Sequence, residues 1–377
     1  MLIFERLQIS EIMLKIKDLT DYLESWAPLP FQESYDNAGL LTGNRQEEVK
    51  GVLITLDITE EVVEEAISRG CNLIVAHHPI IFKGLKSLTG RNYVERTVIK
   101  AIKNDIALYA AHTNLDNVQS GVNKKIADKI GLKEAEILAK KSGILQQLTF
   151  FVPKENTQEV LSALYAAGAG QVGNYSNCSF RVEGTGTFKP GEEANPAIGT
   201  QNKQEEVAEE RVEVVFPAYL SHKIRAAMLE AHPYEEVAHF LHTLENEYQE
   251  TGAGMVGYLP APVEATEFLQ QLKEKMQLSC IRHTALPQGT VQKIAVCGGA
   301  GSFLLSAAKA AGADVLVTAD FKYHEFFDAE GQILIADIGH YESEVFTKEL
   351  IYENLRENFS NIALYLSEIS TNPISYV

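Results

Sequence analysis

Short apolar runs alternating with helical patterns constrain this chain more than any other feature. Three runs lie in the first third: "GVLITLDIT" (51–59), "NLIVAHHP" (72–79) and "IALYAAHT" (106–113). They are brief, rich in β-branched residues and apolar on both faces, as strands inside a parallel sheet are. Between the first two, "TEEVVEEAISRG" (59–70) opens with a threonine cap and an acidic first turn and stops at a glycine, which predicts a helix. Strand, helix, strand in that order implies βαβ units. The last third repeats the theme in "QKIAVCGGAGS" (292–302), "ADVLVTADF" (313–321) and "GQILIADIGH" (331–340). "SRGCNLIVAHHP" and "KAAGADVLVTADF" echo each other and bring Asp320 close to the position of His77 and His78, so two related α/β halves are expected.

The middle follows another rule. Strands are predicted at 146–153, 177–184, 211–216 and 235–244, with helices at 155–170 and 219–233. That order is βαββαβ, the ferredoxin-like pattern. The stretch 188–206, rich in Pro, Gly and charge, reads as a flexible loop. The expected organisation is a discontinuous α/β core, 1–140 and 246–377, interrupted by an inserted ferredoxin-like α+β domain at 141–245.

A formal charge of -18 argues against nucleic acid and anionic membranes as partners. No apolar run is long enough to span a bilayer. The N-terminus, with Glu5 and Glu11 and no long apolar core, does not read as a signal peptide. Cys71, Cys178, Cys280 and Cys297 are scattered and form no CxxC pair, so a reducing, cytoplasmic setting is the simplest expectation.

Open α/β sheets gather ligands at the carboxyl ends of their strands. The unusual polar residues of this chain fall there. His77 and His78 follow the second strand, and His112, Asn114 and Asp116 follow the third. Asp320, Lys322, Tyr323 and His324 lie in "ADFKYHE", and His340 and Glu344 in "IGHYESE". His340 and Glu344 are spaced i, i+4 and share one face of a helix starting there. Val345, Phe346, Leu350 and Ile351 supply the apolar stripe of the helix that follows. Adjacent histidines point apart in a regular strand, but Pro79 lets the chain turn so that both can reach one cluster. Neighbouring ligands pointing differently suit two metals better than one. Three imidazoles with two carboxylates form a mixed N/O set suited to Zn, Fe, Mn, Co or Ni. Two such ions can activate a water for hydrolysis.

Taken together, "HHP" after a strand, "HTNLD" and a terminal "GHxxxE" resemble the NIF-three-like family, whose members are called GTP cyclohydrolase 1 type 2 homologs. "ESYDNAGLLTG" (33–43) and "TADFKYHE" (318–325) fit it too, so the resemblance spans nearly the whole chain. It implies two divalent metal ions per chain, zinc first among them, on His77, His78, Asp116, His340 and Glu344, with Glu344 as the bridge. It further implies a metal-dependent hydrolase acting on GTP or a related purine nucleotide, and a homo-oligomer in the form of a toroidal hexamer. "AHPYEEVAH" (231–239) resembles the signature of CutA proteins, which implies a PII/CutA-like insert as in the longer bacterial members. For His232, Tyr234 and Glu235 a plain turn between helix and strand is the other reading. His222, His239, His242 and His283 are isolated and read as structural.

Three further segments stay open. "GGAGS" (298–302) is either a phosphate-holding turn or a plain tight turn, and "SYDNAGL" (34–40) either lines the cavity or serves the loop itself. His112, Asp320, Tyr323 and His324 are candidates for orienting ligands or moving a proton. Lys83, Lys86, Arg91 and Lys322 are the nearest cations for a triphosphate. A non-catalytic alternative is a metal-binding regulatory or metal-handling oligomer whose PII-like insert senses a small ligand. A scaffold for transcription factors is a third reading, and the missing basic patch argues against direct DNA contact.

Overall fold

A computed structural model of the chain describes residues 13–377; the N-terminal reading above, at Glu5 and Glu11, lies outside the described residues. Contacts divide the chain into two units, one made of 1–139 with 251–377 and the other of 140–250.

The first unit carries two mixed sheets. In one, Leu364–Leu366, Val52–Thr55, Leu73–Ala76 and Ala107–Ala110 run parallel in that spatial order, and Gly39–Thr42 closes the edge antiparallel to the last. In the other, Thr290–Ala300, Val315–Ala319 and Leu334–Asp337 run parallel, flanked by Arg282–His283 on one side and Glu247–Glu264 then Lys133–Ser142 on the other. Each sheet therefore contains a parallel trio made from the apolar runs of one end of the sequence. All four residues of Val52–Thr55, Leu73–Ala76, Ala107–Ala110 and Leu334–Asp337 are buried. That explains why these strands lack polar alternation. The helix Glu60–Ser68 starts at Thr59, whose hydroxyl accepts from the Val62 N–H, and packs Val62, Val63 and Ala66 onto the first sheet.

The strands end earlier than the apolar runs predict, and hydrogen bonding shows why. After Ala76 the N–H groups of His77 and His78 both reach the carbonyl of Leu56, at 3.1 and 2.9 Å. The ladder stops alternating there, so consecutive side chains need not point to opposite faces.

The unit 140–250 has the element order βαββαβ, with Leu145–Pro153, Thr157–Ala167, Phe180–Phe188, Glu205–Pro217, Ser221–Ala231 and His239–Leu244. Its four strands are antiparallel and lie in the order second, third, first, fourth. Phe150, Val152, Val212, Val214 and Phe216 face the two helices through Val160, Leu164, Ile224 and Met228. The strand at 205–217 begins six residues before the predicted 211–216. Glu205, Glu206, Glu209 and Glu210 gave it a loop-like composition, but the ladder to Phe180–Phe188 uses backbone groups and needs no apolar side chains.

Among the described residues no helix is long and apolar enough to cross a membrane. All four cysteines are free.

Candidate metal centre

Polar residues at the carboxyl ends of both parallel trios converge on one point. His77 and His78 follow Leu73–Ala76, and Asp116 ends the short helix Thr113–Asp116 after Ala107–Ala110. His340 and Glu344 begin and end the helix His340–Glu344 after Leu334–Asp337. His77, His78 and Glu344 hold their ligand atoms within 4.8 Å of one another. Glu344 is the hub. Its Oε2 lies 2.9 Å from His78 Nε2 and 3.1 Å from His340 Nε2, and its Oε1 lies 3.7 Å from His77 Nε2. Asp116 Oδ1 is 3.6 Å from the same His77 nitrogen. The five residues that sequence patterns singled out as ligands are thus brought together.

Each imidazole is held from behind. His77 Nδ1 bonds the Ala111 carbonyl at 2.7 Å, His78 Nδ1 bonds Asp57 at 2.7 Å and His340 Nδ1 bonds Asp320 at 2.7 Å. A carbonyl or carboxylate only accepts, so each Nδ1 carries the hydrogen and each Nε2 faces the centre. His112 follows the same design. Its Nδ1 bonds Asp36 at 2.6 Å, and Asp36 also accepts from the hydroxyl and N–H of Thr113. Asp320 takes φ +58°, a left-handed conformation, at the end of its strand.

Asp57 escaped the sequence reading, and Asp36 entered it only as part of "SYDNAGL", without its role as a support. Asp57 stands just past a strand end in "LITLDIT", the same kind of position as His77 and Asp320, and that was the available signal. The loop "SYDNAGL" does line the cavity through Tyr35, while Asp36 braces His112 and the Asn37 amide donates to the Ile81 carbonyl at 2.6 Å. Tyr323 and His324 are placed elsewhere. They lie exposed on the turn Tyr323–Ala329, packed on each other and on Phe327, and do not line the cavity at the centre. That cavity, of about 360 Å³, is bounded by the centre itself, by His112 and Cys297, and by Tyr35, Phe82 and Phe303. Burial pushes the Cys297 thiol upward.

In "GGAGS" the first two amides are already engaged within the chain. The N–H of Gly298 is taken by Asn123 and that of Gly299 by Ser343, while the Gly299 carbonyl accepts from Thr318. What the glycines provide is room: a Cβ on Gly299 would sit 2.4 Å from Glu344 Oε1.

The electrostatics follow from the hub. Burial and then repulsion from Glu344 push the Asp116 carboxyl upward. Burial acts on Glu344 too, but the imidazoles of His340, His77 and His78 outweigh it and hold Glu344 well below the usual range. Burial lowers His78, yet bonds to Asp57 and Glu344 raise it to about 10; His340 is likewise raised to about 9 by Glu344 and Asp320. A divalent ion must therefore displace protons from imidazoles that hold them at neutral pH. The sign is definite: affinity rises with pH until those protons are gone. For Mn²⁺, titrated by competition between pH 6.5 and 7.5, the gain is at least about tenfold, one power of ten per proton displaced. A flat profile would show that the bound ion does not use these nitrogens.

Two buried atoms stand out as unbonded. Among the described residues, His77 Nε2 and Asp116 Oδ1 have no partner within hydrogen-bonding distance. Buried polar atoms seldom go unpaired without a reason, and a cation between them is a reason the donor chemistry fits.

Known proteins share this fold and sequence. The family model described as Duf34/NIF3 (NGG1p interacting factor 3) matches residues 14–373. A Halalkalibacterium halodurans protein named GTP cyclohydrolase 1 type 2 homolog is 40% identical over 359 residues, covering 94% of this chain and 96% of its own. A Bacillus subtilis protein of the same name is 38% identical over 367 residues, 96% of this chain and 98% of its own. Among solved structures, a Bacillus cereus protein related to NIF3 superposes with a TM-score of 0.85 at 38% identity, covering 97% of this chain and all of its own. Matched along almost its whole length, the chain belongs to the Duf34/NIF3 family.

Proposed function

We propose that this protein is a hydrolase that works with two divalent metal ions held by His77, His78, Asp116, His340 and Glu344. The reading is carried by the buried, unbonded pair of His77 Nε2 and Asp116 Oδ1, 3.6 Å apart, with the same His77 nitrogen 3.7 Å from Glu344 Oε1. A cation shared between them relieves the cost of burying two unsatisfied polar atoms. Two ions rather than one are supported by Glu344, whose Oε1 faces His77 while Oε2 faces His78 and His340, as in a bridging carboxylate. The N/O donor set suits zinc first, with iron, manganese, cobalt or nickel as alternatives. Bound metal pairs of this kind lower the pKa of water and supply a nucleophile at neutral pH. The chain's own part is positional. Asp57, Asp320 and the Ala111 carbonyl fix the tautomers that aim Nε2 inward. His112, oriented by Asp36, stands at the cavity wall within reach of a substrate proton.

The name carried by the relatives supports GTP or a related purine nucleotide as substrate, with opening of the imidazole ring as the reaction. Among the described residues the cavity lining includes carboxylates but none of Lys83, Lys86, Arg91 or Lys322. That observation favours a second reading, a metal-handling or regulatory oligomer in which the unit 140–250 acts as a PII/CutA-like sensor without catalysis. In either case we propose a cytoplasmic homo-oligomer, a toroidal hexamer. The exposed rings of Tyr323 and Phe327 pack edge to face into a small apolar patch, which is compatible with self-association. Native mass spectrometry reads the assembly directly.

The deciding experiment is metal content per chain by mass spectrometry on untagged protein, wild type against a His78→Ala, Glu344→Ala double variant. Close to two divalent ions in the wild type, lost in the variant, is the expected result. Wild-type protein that retains no metal after incubation with Zn, Mn or Fe would sink the proposal.

A further inference from the structure

The unit 140–250 has a chemistry of its own, away from its helices. Its sheet buries Phe150, Val212 and Val214 under both helices, so neighbouring residues in the same strands, Phe151, Glu209 and Arg211, face the other side. On that side lies a cavity of about 710 Å³, within the usual size of small-molecule sites. The loop after Phe188 and the turn after the second helix form its walls.

The floor is unusual. Gly184 and Gly186 alternate on one face of Phe180–Phe188 and leave a bare strip opposite Glu209 and Val207. A Cβ on Gly186 would lie 2.0 Å from Glu209 Oε2, so the carboxylate occupies the place a side chain would take. A Cβ on Gly184 would meet nothing within 4 Å. Glu209 is only 9% exposed and accepts one hydrogen bond, from the Tyr234 hydroxyl at 2.8 Å. No Lys or Arg pairs with it among the described residues, because Arg211 pairs with Glu213 at 2.7 Å and Lys154 is engaged by Glu183. Tyr234 and Phe188 stand beside it with ring centroids 6.0 Å apart. His232 is spent on structure: its ring bonds the Phe151 carbonyl and the Tyr234 N–H and so fixes the turn that carries Tyr234.

Lys189 and Arg211 also line the cavity, but neither forms an ion pair with Glu209 among the described residues, and a buried carboxylate with one neutral donor is poorly satisfied. A ligand that brings positive charge and N–H donors completes it, and aromatic walls add cation–π or stacking attraction. Carboxylates in the lining also repel anions. We propose that this cavity binds a small planar organic cation with paired N–H donors, of the amidinium or protonated amino-heteroaromatic kind, held by Glu209 against Tyr234 and Phe188. The proposal is independent of the metal centre.

The test uses the full chain and two probes, benzamidine and its neutral isostere benzamide, titrated by calorimetry. Benzamidine is expected to bind saturably and at least about tenfold tighter than benzamide, the gain of a charge-assisted pair over a neutral one. Glu209→Gln should abolish the preference. Gly184→Leu, which grows into open space rather than into packed atoms, should block benzamidine while leaving the thermal midpoint near that of the wild type; it keeps the test decisive if Glu209→Gln folds poorly. Equal binding of the two probes, a preference that survives Glu209→Gln, undiminished binding to Gly184→Leu, or no saturable binding at millimolar benzamidine would each overturn the proposal.

Discussion

Replacing Glu344 with alanine is expected to strip the centre of metal and to destabilise the fold by about 3–5 kcal/mol, the usual cost of removing one partner from a buried charge cluster. Glu344 is 3% exposed and takes the Nε2 atoms of His78 and His340 on one oxygen. Without it, the His78 and His340 rings, with centroids 5.3 Å apart, lose the buried acceptor they share. Glu344→Gln separates the two effects. It keeps the shape and one acceptor, so it should recover part of the stability, but it cannot bridge cations as a carboxylate does. Urea denaturation read with metal analysis on the same samples checks both. An alanine variant within 1 kcal/mol of wild type that keeps its metal would refute the hub assignment.

Gly299→Ala is the sharper perturbation, because it removes no ligand at all. Its new methyl would lie 2.4 Å from Glu344 Oε1 and 3.2 Å from His340 Cε1, on a backbone with φ +61°. Overpacking of this kind costs about 1–3 kcal/mol, and the left-handed backbone adds about 1–2 kcal/mol. Relief requires Glu344 to move, so metal affinity should fall at least about tenfold even though all five donors remain, as happens when the groups supporting a site are disturbed. Gly312→Ala is the matched control: φ +69° gives the same backbone cost, with nothing within 4 Å to collide with. Equal metal affinity in the two variants would show that Gly299 does not make room for the carboxylate.

The parallel trios and the residues at their carboxyl ends were legible because both depend on local pattern. An apolar run ending in His-His-Pro violates the rule for buried strands, and that violation marked the site. Of the supports, Asp320 was legible at its strand end, but Asp57 and the bracing role of Asp36 were not. Asp57 grips a histidine 21 residues away and Asp36 one 76 residues away, and neither distance leaves a trace in local composition. Tyr323 and His324 illustrate the opposite error. They follow Asp320 closely, but its left-handed backbone turns the chain so that they end exposed on the next turn. Nor could sequence tell that the first two glycines of "GGAGS" yield space to a carboxylate, because the need for that space comes from a helix more than forty residues later.

The hub also dictates an order of events during synthesis. His78 and Glu344 are separated by 266 residues. At about 5–20 residues per second, the histidine pair leaves the ribosome roughly ten to fifty seconds before the carboxylate that must join it. Throughout that interval the nascent chain has His77, His78 and Asp116 but lacks His340 and Glu344, so the proposed donor set is incomplete. The metal binding proposed above therefore follows synthesis of Glu344, and a metal signal in a cell extract reports molecules that carry the whole donor set rather than total polypeptide.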